Sequence, residues 1–168
     1  PTGYRCRECV KGQQKIFKRL AELWQGPTLC SQEDPMEGTE SVYVKANGIM
    51  FHCEVAGEGP LCICLHGFPE TRYSWRNQVP LLSRKFKVVV PDMRGYGETF
   101  APWAVEDYLL DVLLKDVKGL IEAFGYKEAV LVSHDWGAVI GIHYAEAYPE
   151  TVSKLVWSDS VHLGDYYN

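Results

Sequence analysis

No run of about 18 or more apolar residues occurs in the chain, so no segment reads as a membrane-spanning helix. The charge is not basic. The net is −5, which sets aside a general nucleic-acid binder. Internal repeats and low-complexity tracts are absent, and no secretory signal peptide is visible. Of the six cysteines, Cys6-x-x-Cys9 has no second pair at ligand spacing, so no zinc knuckle or other metal site is expected. What is there is 168 residues, one domain's worth of chain, 46% apolar and able to bury a core.

The charge is unevenly spread. Residues 1–27 hold six basic and two acidic side chains, a net of +4 that leaves −9 for the rest. Ile16, Phe17, Leu20, Leu23 and Trp24 recur there at helical spacing, and Gly26-Pro27 ends the pattern. Residues 1–29 therefore read as a basic lead-in, either a solvated amphipathic helix or a segment that lies against anionic lipid headgroups. Cys6 and Cys9 would then be open to acylation. Residues 30–40 are polar and turn-rich, a linker by composition. The division expected is a lead-in and linker over 1–40 and a globular part over 41–168.

From Ser41 the pattern changes. Ser41 to Ala46 and Ile49 to Ala56 flank Asn47-Gly48, a strong hairpin signal. Leu61 to Leu65 and Phe86 to Pro91 are short apolar strands, in the first of which Cys62 and Cys64 read as small core residues. Thr71 to Ser83 is expected to be helical with an interruption at Pro80, and Glu106 to Phe124 to form one helix stopped by Gly125. Ala129 to Val132 and Val152 to Ser158 are two more strands around a helix over 138–147. A hairpin followed by strands alternating with helices predicts an α/β fold, a mostly parallel sheet covered by helices on both faces. Ligands of such sheets bind beyond the carboxyl ends of the strands. Three loops share that edge: 66–69, 92–99 and 133–137.

The last of these carries the sharpest chemical signal. Ser133 and Gly137 stand two before and two after Asp135, between a strand and a helix. That is the spacing of a nucleophile elbow with a carboxylate at its centre. An aspartate there can displace at carbon and leave an alkyl ester, which water must then hydrolyse. A helix N-cap is the simpler use of such an aspartate. A serine esterase is excluded, because Ser133 occupies a small-residue position and not the centre. Asp92, Arg94, Gly95, Tyr96 and Gly97 read as a tight loop, an Asp–Arg turn scaffold. Trp75 and Phe68 suit either a pocket wall or the core.

Three motifs taken together, H-G-F-P-E at 66–70 with S-W-R at 74–76, D-M-R-G-Y-G-E-T at 92–99 and H-D-W-G-A at 134–138, make residues 43–159 resemble the α/β-hydrolases, specifically the epoxide hydrolases of the animal 3/4-type branch. The resemblance implies hydrolysis of lipid-like epoxides to vicinal diols without a cofactor. Asp135 would be the nucleophile, and the amides of Phe68 and Trp136 the oxyanion hole. His66, Phe68, Pro69, Trp75 and Trp136 would border the substrate, with His66 orienting its loop. His134 would pack or hydrogen-bond structurally. Asp159 would be an acid that orients a histidine; a plain loop aspartate is the simpler reading. Membership of that branch also implies association with a membrane, the endoplasmic reticulum in particular, through residues 1–29; a cytoplasmic protein is the alternative.

The family mechanism also uses cap tyrosines and a late histidine. Tyr166 and Tyr167 fall where a cap would begin, and His162 falls too early for the base. The expectation is a truncated epoxide hydrolase, an incomplete α/β-hydrolase fold lacking the cap and the C-terminal strands, inactive in isolation. Two other readings stay open. One is a haloalkane or haloacid dehalogenase of the same fold. The other is a non-enzymatic, membrane-tethered interaction module.

Overall fold

The computed structural model describes residues 36–160. The lead-in over 1–29 with Cys6 and Cys9, the first part of the linker, and His162, Tyr166 and Tyr167 lie outside the described residues.

Strands β1 (Glu40–Ala46) and β2 (Ile49–Ala56) form the expected hairpin, with Ala46 opposite Ile49. Asn47 and Gly48 both take positive φ, 42° and 82°, as a two-residue turn that follows the strand twist requires. Strands β3 (Leu61–Leu65), β4 (Lys87–Pro91), β5 (Ala129–His134) and β6 (Val152–Ser158) complete one six-stranded sheet in the order β1-β2-β4-β3-β5-β6. β1, β2 and β4 pair antiparallel; β4, β3, β5 and β6 run parallel.

β3 is buried on both faces, which is why its sequence shows no polar alternation. Leu61, Ile63 and Leu65 face one core with Phe51, Val89 and Leu131. Cys62 and Cys64 face the other with Val88, Val90 and Val79. Each fully buried aliphatic side chain here contributes about 1.5–3 kcal/mol. The first core is closed by α2 (Leu110–Ala123) through Val117, Leu120 and Ile121, and by α3 (Trp136–Ala147) through Ile140 and Tyr144. The second is closed by the short α1 (Val79–Leu82) and the 3-10 turn Arg72–Trp75.

Two expectations about helices are corrected. Residues 71–83 form two short pieces, with Pro80 opening the second where its missing N–H costs nothing. Residues 106–124 are not one helix: Val105–Tyr108 is a 3-10 turn, and Leu109, with ψ 148°, breaks the path before α2 starts. Gly125 stops α2 as expected, at φ 81°. Trp75 is also settled. It is 8% exposed within the second core, so it belongs to the packing there and not to a pocket wall. No helix among the described residues is long and apolar enough to cross a membrane.

Candidate active site

β3, β4 and β5 end side by side, and the three loops predicted to share an edge do so. Asp135 sits between β5 and α3 with φ 51° and ψ −121°, a conformation few non-glycine residues adopt. Packing enforces the turn. A Cβ on Gly137 would lie 2.4 Å from the Leu65 carbonyl oxygen, and one on Gly67 would lie 2.5 Å from the Asp135 Cβ. Ser133, the other small residue of the pattern, is buried, with its hydroxyl donated to the Val156 carbonyl at 3.2 Å.

The side chain of Asp135 does not cap α3. Its Oδ1 accepts the Phe68 N–H at 2.8 Å. The amides of Phe68 and Trp136, in that order, hold the carboxyl below the usual aspartate range, against an opposing contribution from desolvation and with a smaller favourable one from His134. The two amides expected to form an oxyanion hole therefore converge on one carboxylate. The side chains of Phe68 and Trp136 are both more than half exposed.

His66 is fully buried. Its Nε2 accepts the Met93 N–H at 2.9 Å, which places the proton on Nδ1, and Nδ1 donates to the Gly67 carbonyl at 2.9 Å. Both nitrogens are thus committed to holding loops, and His66 is not a base. Pro69 follows Phe68 through a cis peptide bond.

Two residues enter the site: Glu70, which sequence reasoning did not single out, and Tyr96, which it placed only in a turn. Glu70 Oε2 accepts the Gly67 N–H at 3.1 Å and lies 3.2 Å from His134 Nδ1. It ties the loop after β3 to the residue before Asp135. The E of the H-G-F-P-E motif was in view; its partners meet only in space. Tyr96 packs edge-on to His66, ring centroids 5.0 Å apart, and burial together with the Asp135 charge raises its pKa so that the phenol stays protonated. Asp159, expected to orient a later histidine, has its Oδ2 3.6 Å from His134 Nε2 and is 86% exposed. Asp92 and Arg94 do not pair with each other. Arg94 binds Asp116 through two hydrogen bonds of 2.7 and 2.6 Å, and Asp92 binds Arg72.

The comparisons with known proteins concern the fold that carries this carboxylate on its strand-to-helix elbow. A family model for the alpha/beta hydrolase fold matches residues 60–165. The chain belongs to the alpha/beta hydrolase fold family. Within it the chain is similar to epoxide hydrolases. It is 44% identical over 149 residues to human epoxide hydrolase 4, covering 87% of this chain and 40% of that protein. To mouse epoxide hydrolase 3 it is 44% identical over 115 residues, covering 67% of this chain and 31% of that protein. A variant of Vigna radiata epoxide hydrolase superposes with a TM-score of 0.74 at 42% identity, over 76% of this chain and 41% of that one. The chain thus spans well under half the length of the relatives it matches.

Proposed function

We propose that this chain carries the nucleophilic half of an epoxide hydrolase, and that Asp135 opens the epoxide by forming an alkyl ester. The observation that carries the proposal is the convergence of the Phe68 and Trp136 amides on the Asp135 carboxylate at a strained elbow. The carboxylate is ionised at neutral pH, as a nucleophile must be, and its lowered pKa extends that state toward acid. Asp135 Oδ2 attacks a ring carbon, the ring C–O bond breaks, and the ring oxygen takes its electron pair and then a proton. Water next adds to the ester carbonyl. The charge that develops on Oδ1 is received by the same two amides, which need not reorganise. Collapse returns the carboxylate and releases a vicinal diol.

The four described histidines are engaged elsewhere: His52 with Asp92 and Ser41, His66 with Met93 and Gly67, His134 with Glu70 and Asp159, and His143 with the Val139 carbonyl. The proposal therefore assigns ester formation to the residues around Asp135, and activation of the hydrolytic water to the whole enzyme. Exposed Phe68 and Trp136 favour an apolar, lipid-like epoxide, and the basic residues of 1–29 would hold the protein at an anionic membrane surface such as that of the endoplasmic reticulum. The test is to offer an aliphatic epoxide and the matching chloroalkane side by side. Consumption of the epoxide without halide chemistry supports the proposal; chloride release in preference to epoxide opening reverses it in favour of a dehalogenase.

A further inference from the structure

The D-M-R-G-Y-G-E-T loop has no part in the chemistry above, yet it holds the most completely bonded carboxylate of the described residues. Asp92 has no exposed surface. Its Oδ1 accepts the Arg72 backbone N–H at 3.0 Å. Its Oδ2 accepts Arg72 Nη1 at 2.9 Å and the Glu98 N–H at 3.1 Å, and lies 3.0 Å from His52 Nδ1. A Cβ on Gly97 would fall 2.3 Å from Oδ2, so the loop can close over the carboxylate only with glycine there.

The neighbouring residue completes the arrangement. The Met93 N–H is donated to His66 Nε2. Residues 92 and 93 therefore grip the loop after β3 at both of its ends, His66 and Arg72. Between those ends lies Phe68, whose N–H must point at Asp135. Within the span the Glu70 N–H closes a turn onto the Gly67 carbonyl at 3.1 Å, which joins the Phe68 segment to both grips.

We propose that Asp92 is a positioning residue of the oxyanion hole, which together with the Met93 amide clamps the 66–72 loop and so sets the direction of the Phe68 N–H. This rests on the nucleophilic reading of Asp135, but its test does not need an epoxide. The Asp135 carboxyl is followed by side-chain carbon NMR against pH, and the Phe68 amide by its proton shift, in the wild type and in Asp92→Asn. The expected result is a carboxyl midpoint raised toward the ordinary aspartate value of about 3.9, together with an upfield move of the Phe68 amide proton. Ile121→Ala, a core truncation in α2, serves as the destabilised control and leaves both signals in place. A folded Asp92→Asn protein with wild-type values for both overturns the proposal. Should Asp92→Asn not fold, hydrogen exchange in the wild type decides. The amides of Phe68, Arg72 and Met93 are expected to share one opening, and exchange of Phe68 independent of the other two overturns it. A missing epoxide adduct alongside a shifted midpoint would count against the nucleophilic reading and leave the clamp standing.

Discussion

The two donors that face Asp135 are held by different forces. The Trp136 amide is fixed by contact. It begins α3, and Gly137 and Ser133 leave no room for another path between β5 and the helix. The Phe68 amide is fixed by polar bonds, from Asp92, Met93 and Glu70, across a loop whose own side chain is 64% exposed. A hole made of one half held by packing and one held by hydrogen bonds should fail in two distinguishable ways. The packed half fails by unfolding. The bonded half fails by losing direction while the fold survives.

The largest effect expected is at the packed half. Gly137→Ala places a methyl group against the backbone of Leu65 and His66, neither of which can give way, and should cost about 3 kcal/mol of stability in urea unfolding. Gly67→Ala meets the Asp135 side chain instead. It should leave most of the stability intact and lower the rate of ester formation by about 100-fold, because a misplaced reacting group is enough to do so. Asp135→Gly relieves the positive φ, worth about 1 kcal/mol, and should be more stable in thermal unfolding than Asp135→Ala, which loses the same carboxylate but keeps the strain. An Asp135→Ala protein as stable as Asp135→Gly would mean that the elbow is not strained. Glu70→Gln, at the bonded half, removes the charge that the Gly67 N–H and His134 share, and should cost about 1 kcal/mol in unfolding experiments.

The smallest effect is one of pH. The Asp135 carboxyl has a folded-state pKa below its unfolded value. Its contribution to stability is therefore present above the unfolded pKa of about 3.9 and lost as pH falls through the folded value. The same sign applies to reactivity. Ester formation should be level from about pH 8 down to about pH 5 and decline only below the ordinary aspartate range. A decline centred well above the aspartate range would show that a group other than the Asp135 carboxyl controls the site.

These differences also explain what could be read from the sequence. The elbow was legible because packing wrote it locally: small residues two either side of Asp135, with strand and helix patterns around them. The hairpin and β3 were legible for the same reason. Leu109 misled because it continues the apolar spacing of α2 while lying outside the helix, 51% exposed. Trp75 was ambiguous because an aromatic suits a core or a pocket equally until its neighbours are known. The polar half was the least legible. Asp92 and Arg94 look like a pair in sequence, but their partners are Arg72, 20 residues before the one, and Asp116, 22 after the other. Glu70 and His134 meet across 64 positions.

The account turns on Asp135 being the atom donor that opens the ring. The direct measurement is to mix the protein with a small aliphatic epoxide, quench within seconds, digest, and weigh the peptide that contains Asp135. The account predicts a gain equal to the mass of the epoxide on that residue, absent from Asp135→Asn. An adduct that forms equally on Asp135→Asn, or diol production with Asp135 replaced, would contradict it.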